Sequence, residues 1–310
     1  MAATAPSLAE RLDGLLFFPV TAFGPNGDVD EETFRVHVRR GIDHGAAAVF
    51  ACCGTGEYHA LTPEEFRVCV AAAVTEAAGQ VPVIAGVGYG TALATHFAAL
   101  AEEAGADGLL AMPPYLVLPD QRGLVRHYTA LVEATRLPVV LYQRDNAVLT
   151  PRTVVELARH PRVIGLKDGV GDLDLLQRTV SAVRTELPDR DFLFFNGLPT
   201  AELTAPAYHG LGVRLYSSAV FAFLPEVALA FRAALVAGDD ARVRRLLDGF
   251  YRPLVELRNE GRGYAVSLVK AGVRLRGLDV GEVRPPLAEP TPRHLARLAE
   301  LIDRGLALVG

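Results

Sequence analysis

The chain has 310 residues, half of them hydrophobic and 22% charged, with a mean hydropathy slightly above zero; it therefore buries a large core and is neither disordered nor fibrous. A formal charge of −5 and a pI near 5.9 exclude the basic footprint that a nucleic-acid backbone requires, so no nucleic-acid partner is expected. Of the 31 basic residues only two are lysine, Lys167 and Lys270, and where each falls becomes the thread of the reading.

Met1 to Ala9 has no basic start and no apolar run of signal length, which predicts a cytoplasmic chain. Short apolar runs then recur. Leu15 to Val20 is the first, and Asp30 ahead of Glu31 and Glu32 marks a helix start after it. Ala47 to Cys53 follows, with Thr62-Pro63-Glu64-Glu65 opening the next helix. Val81 to Val87, Gly108 to Met112 and Leu137 to Tyr142 come next, then Thr150-Pro151 as another helix start. Val163 to Lys167, Phe192 to Asn196 and Val213 to Ser217 complete a set of eight, their starts 21 to 34 residues apart. Each interval has room for one strand, one helix and two short loops. Continuous rather than alternating apolar strands suit a parallel sheet covered on both faces. The pattern predicts an α/β fold, a (β/α)8 TIM barrel, with a doubly wound sheet as the alternative.

From Pro225 onward the strand signals stop. Glu226 to Ala237, Ala241 to Arg258, Tyr264 to Leu275 and Arg293 to Leu308 all read as helices, and Val283-Arg284-Pro285-Pro286-Leu287 reads as a stiff connection. We therefore expect residues 1–224 to form the barrel that carries the active site and residues 225–310 a C-terminal helical extension. No run is long enough to span a bilayer, so no membrane partner is expected. Three cysteines, Cys52, Cys53 and Cys69, without a CxxC pair, fit reduced thiols.

Chemistry in such a barrel sits where the strands end. Lys167 ends the sixth run, carried by Val163-Ile164-Gly165-Leu166 toward the barrel mouth. On its own, a lysine in an apolar run is more often a strand-edge residue with its head in water. Here it is a candidate Schiff-base nucleophile, a role that requires the free amine and so favours apolar walls or nearby cations. Tyr142 ends the neighbouring run, either as a proton relay or as plain packing. Gly54-Thr55-Gly56 offers backbone N–H groups and a hydroxyl for a carboxylate, or is an ordinary tight turn. Gly86-Val87-Gly88-Tyr89-Gly90 lacks the spacing of a dinucleotide loop. The eight histidines have no metal-binding spacing, so no catalytic metal is expected. Ser217-Ser218 has no nucleophile elbow, which leaves a hydrolase triad unsupported.

These residues resemble the dihydrodipicolinate synthase and N-acetylneuraminate lyase superfamily of lysine-dependent barrels. The carriers are Gly54 to Glu57, Tyr142, and the strand Ile164-Gly165-Leu166-Lys167-Asp168. Within it the chain is most similar to the decarboxylating branch, the 5-dehydro-4-deoxyglucarate dehydratases. That likeness rests on Arg144 to Thr150, Lys167 to Asp172, Gly197 to Glu202, Tyr216 to Phe221, Ala265 to Gly272 and Arg284 to Leu287. The synthase pattern is broken at three functional positions, where this chain has Gly54, Leu116 and Ala147. The dehydratase pattern is broken at Cys53 and Gln143, both expected beside the site.

The resemblance implies a hydro-lyase that takes a small sugar diacid through an imine on Lys167, with Tyr142 moving protons and no added cofactor. It implies substrate binding by Gly54, Thr55, Gly197, Ser217 and Ser218, and a homotetramer or homodimer. Arg144 either binds the distal carboxylate or makes an outward ion pair with Asp145. Lys270 is assigned a structural or surface role. The alternatives are a pyruvate-releasing aldolase or a synthase-like condensation on the same barrel, and a catalytically silent binding barrel.

Overall fold

In a computed structural model that describes residues 7–310, the eight apolar runs become eight parallel strands. Residues 1–6, part of the Met1 to Ala9 stretch read above, lie outside the described residues. The strands are β1 (Leu16–Phe17), β2 (Ala48–Ala51), β3 (Val83–Val87), β4 (Gly108–Ala111), β5 (Val139–Gln143), β6 (Val163–Asp168), β7 (Leu193–Asn196) and β8 (Leu215–Ser218). They pair in chain order, and Leu16 aligned with Ser217 closes β8 onto β1. Closure excludes the doubly wound sheet, which keeps two open edges.

Helices alternate with the strands: α1 (Leu8–Arg11), α2 (Glu31–Asp43), α3 (Pro63–Ala77), α4 (Thr91–Glu103), α5 (Gln121–Glu133), α6 (Pro151–Ala158), α7 (Leu173–Glu186) and α8 (Ala205–Gly210). The start signals act as expected. Asp30 accepts from Thr33 N, Thr62 and Glu65 form a reciprocal capping box, and Thr150 accepts from Thr153 N, each satisfying amides that a helix leaves free. Helix α1 was not foreseen. Its own capping box on Ser7 sets it beneath the barrel, where Leu8 and Leu12 join the interior packing.

The core has two parts. The larger lies between strands and helices; the smaller fills the barrel with Leu16, Phe50, Ile84, Leu110, Val140 and Phe195 among others. Which strand residues point inward follows from the period of two. One irregularity resets it: Val139 aligns with Val163 but Val140 with Gly165, so Ile164 is an extra residue in β6. Beyond it Gly165 and Lys167 share the face occupied by Val140 and Tyr142.

After β8 come α9 (Pro225–Ala237), α10 (Asp240–Leu246), α11 (Arg252–Asn259), α12 (Tyr264–Leu275) and α13 (Pro292–Ala307). The helix expected over 241–258 is interrupted by a wider π-type turn at Leu247–Tyr251. Pro253, just beyond, has no N–H to donate to the preceding turn, a familiar cause of such local widening. Among the described residues no helix is long and apolar enough to cross a membrane.

Candidate active site

Strand geometry decides which residues reach the barrel mouth. Tyr142 aligns with Lys167, and Lys167 with Phe195, so these three stand side by side on the inner face of β5, β6 and β7. Lys167 is only 6% exposed. Its Nζ lies 4.0 Å from the ring centroid of Tyr142 and 4.8 Å from that of Phe18, a setting of aromatic faces that suits an ammonium or an iminium. The Tyr142 hydroxyl donates to Gly197 O at 3.1 Å. Gly197 has a steric reason to be glycine, because a Cβ there would stand 2.7 Å from Lys167 Cγ and 3.0 Å from Asp168 O.

Asp168 anchors the strand end from the opposite face. Its buried carboxylate accepts from Gln143 Nε2 at 2.8 Å, Val170 N at 3.1 Å, Gly171 N at 3.3 Å and the Tyr208 hydroxyl. Lys167 thus projects from a fixed backbone. The same contacts fix Gln143. It faces away from the barrel interior, braced between Asp168 and Leu149 N, because it neighbours the inward Tyr142 along the strand.

A cavity of about 310 Å³ opens over Lys167 and Tyr142. Among the residues expected from the sequence, Gly54, Thr55, Arg144, Gly197 and Ser217 also line it. Ser218 does not. One residue past the inward Ser217, it points outward, where its Oγ meets Glu202 Oε1 and accepts from Phe221 N at 3.0 Å. Arg144 lines the cavity, and its Nε makes the ion pair with Asp145, at 3.0 Å. Burial lowers its pKa, but Tyr142 and Asp145 outweigh that and leave the guanidinium raised above its ordinary value. Cys53 lines the cavity as a thiol whose pKa burial pushes up to about 12, against the pull of Lys167.

The Gly54–Glu57 turn is held hard in place. Cys52 and Glu57 take left-handed backbone conformations at φ 52° and 55°, uncommon for residues with side chains. Thr21 Oγ1 donates to Gly56 O at 2.7 Å. Glu57, fully buried, accepts from Lys270 Nζ at 2.9 Å and from Arg284 N at 2.8 Å. The surface option for Lys270 is therefore overturned: it is completely buried, its ammonium over the Phe23 ring at 3.9 Å.

Sequence reading missed one wall of the cavity. Leu254, Arg258, Tyr264, Leu268 and Leu287, all from the C-terminal helical region, close over the strand ends. The glycine-bounded break Gly261–Gly263 between α11 and α12 is the one local signal that a helix ends at the mouth. Among the described residues no group of three or more histidine, cysteine or acidic side chains is arranged to hold a metal.

Residues 11–304 match the dihydrodipicolinate synthetase family. The chain belongs to that family. Among curated relatives, the "Probable 5-dehydro-4-deoxyglucarate dehydratase" of Streptomyces griseus is 72% identical, covering 99% of this chain and 97% of its own. The "Probable 5-dehydro-4-deoxyglucarate dehydratase 1" of Streptomyces coelicolor is 69% identical, covering 99% and 98%. Among solved structures, the dihydrodipicolinate synthase of Bacillus clausii superposes with a TM-score of 0.88 at 26% identity, covering 96% of this chain and 98% of that one. The barrel is thus shared even where about three residues in four differ.

Proposed function

We propose that this protein is a decarboxylating hydro-lyase that converts 5-dehydro-4-deoxy-D-glucarate to 2,5-dioxopentanoate, carbon dioxide and water. The observation that carries the reading is Lys167, buried among aromatic faces at the floor of the cavity beside Tyr142. The strong likeness to relatives named as probable dehydratases of this substrate supports the choice of branch.

In this mechanism the Lys167 amine attacks the C5 ketone, water leaves the carbinolamine, and an iminium forms. The iminium acidifies C4. Loss of a C4 proton and of the C3 hydroxyl gives a conjugated iminium. The C1–C2 bond then breaks; its electron pair runs through C2–C5 to nitrogen as carbon dioxide departs. Protonation and hydrolysis release the product and restore the amine, with one proton consumed overall. Tyr142 carries protons at the carbinolamine and C4. Gly54 and Thr55 hold the carboxylate next to the ketone, and Gly197 and Ser217 line the hydroxyl-bearing middle of the chain. The covalent catalyst is the lysine itself, so the route calls for no cofactor.

We further propose residues 1–224 as the part that supplies the reaction and residues 225–310 as the part that walls its mouth, in a cytoplasmic assembly of two or four identical chains. Support for an assembly comes from Tyr115, Leu116, Val117 and Leu118, which are 56–90% exposed in one apolar stretch after β4. The three free, buried cysteines suit a reducing compartment.

The test mixes the protein with 5-dehydro-4-deoxyglucarate and follows carbon dioxide and 2,5-dioxopentanoate together, with borohydride trapping to locate the adduct. Equimolar release and a reduced adduct on Lys167 are expected. Pyruvate in place of carbon dioxide would make the protein an aldolase of the same barrel. A wild-type protein that never forms an adduct would be a binding barrel.

A further inference from the structure

The cavity is lopsided in charge. Lys167, Arg144 and Arg258 line it, and no aspartate or glutamate does. Arg144 has its partner in Asp145. Arg258 has none: among the described residues no carboxylate comes within ion-pairing distance of it. Instead its Nη1 donates to Pro199 O at 2.8 Å and Thr200 Oγ1 at 3.0 Å, while Nε and Nη2 share Asn259 Oδ1 at 3.3 and 3.2 Å. Every acceptor is neutral. A guanidinium has five N–H donors, so these four bonds fix its position and leave one N–H on Nη2 and the whole charge unanswered. Burial pulls its pKa down, as expected for a cation partly removed from water without a counter-ion.

We infer that Arg258 receives the second carboxylate of the substrate and is the residue that makes the site select 2-oxo diacids over 2-oxo monoacids. The inference rests on the lysine-imine reading of the same site. Position supports it. Arg258 is tied to the loop after β7, whereas Gly54 and Thr55 follow β2, three strands away round the ring. One carboxylate of an extended substrate then falls across the mouth from Lys167, at the β2 end, and the other over β7, next to the strand that carries the lysine. Charge supports it as well. With the amine converted to an iminium, one positive charge there and one on Arg258 balance two carboxylates, while the Arg144–Asp145 pair contributes no net charge. The single free N–H also suits the chemistry. A carboxylate that must leave as carbon dioxide is better held by one charge-assisted bond than clamped by two, since binding that is lost in the transition state slows the step.

The test measures the concentration of ligand that half-saturates borohydride trapping at Lys167, with two six-carbon probes that cannot dehydrate: 2-oxoadipate, a diacid, and 2-oxohexanoate, its monoacid counterpart. The wild type is expected to favour the diacid by about 10- to 100-fold, the range set by one charge-assisted hydrogen bond. Arg258→Gln is expected to bring that ratio close to one by weakening the diacid alone; unchanged trapping of the monoacid shows that the variant is folded with a working lysine. Arg258→Lys is expected to retain part of the preference. A ratio that Arg258→Gln leaves intact, or that Arg144→Gln abolishes instead, overturns the assignment to Arg258 while leaving the imine reading standing. A wild type that traps neither probe overturns the imine reading itself and this inference with it.

Discussion

Lys270 Nζ lies 2.9 Å from Glu57 Oε1, and neither side chain is exposed to solvent at all. The pair joins α12 to the turn that carries Gly54 and Thr55, across 213 residues of chain. Burial draws the ammonium's pKa down to about 8, against the pull of Glu57.

Removing one member leaves the other as a buried, uncompensated charge. Lys270→Met is expected to lower stability by about 3–5 kcal/mol, read by chemical denaturation. Adding Glu57→Gln should recover most of the loss, because replacing both charges is far less costly than stranding one. A double variant no better than Lys270→Met would show that the pair is not the unit that matters.

Tyr142→Phe keeps the ring under the Lys167 nitrogen and removes only the hydroxyl bonded to Gly197. If the hydroxyl moves protons, kcat should fall by about 10²- to 10⁴-fold while a 2-oxo acid still forms a reducible adduct. Near-normal turnover would reduce Tyr142 to a packing residue.

Gly197→Ala places a methyl 2.7 Å from Lys167 Cγ and 3.0 Å from a backbone oxygen. Overpacking of this kind costs about 1–3 kcal/mol, so the protein should fold, but with the lysine displaced. Adduct formation is expected to slow by about 100-fold, the effect of a misplacement near 1 Å. Single-turnover trapping beside a melting curve separates the two effects.

Glu202 gives stability a pH dependence. Its carboxyl is fully buried, Oε1 bonded to Ser218 and Oε2 without a partner among the described residues. Burial raises its pKa to about 7, with the Ser218 bond acting the other way. The folded protein therefore keeps a proton that the unfolded chain releases above pH ~4.5. Stability from this group is present below that value and is lost as pH rises to about 7, on the order of 3 kcal/mol in all. Urea denaturation at pH 5 and pH 7.5 should show the loss, and Glu202→Gln should flatten it. An equal slope in both proteins would mean that the carboxyl is not the source.

The barrel was legible in the sequence because each strand is a local apolar run with a turn signal after it, and because helix caps such as Thr62 and Asp30 act within three residues. Lys167 and Tyr142 were legible for the same reason: their place follows from the strand they end. Ser218, expected in the site from the resemblance, adjoins the inward Ser217 and so faces the other way, as Gln143 does beside Tyr142. What stayed hidden depends on distant partners. Nothing local to Lys270 announces Glu57, and nothing in α11 announces that Arg258 is tied to Pro199 and Thr200 at the barrel mouth.

The cavity's composite wall joins two kinds of position that differ in how they take substitution. Lys167 and Tyr142 stand on strands, where a shift of one position reverses a side chain. The wall from α11 and α12 is built instead from helix surfaces and loop ends. On the proposed reading, exchanging α11 would redraw that wall while leaving the strand of Lys167 untouched, whereas α12 is tied to the Gly54–Glu57 turn through Lys270.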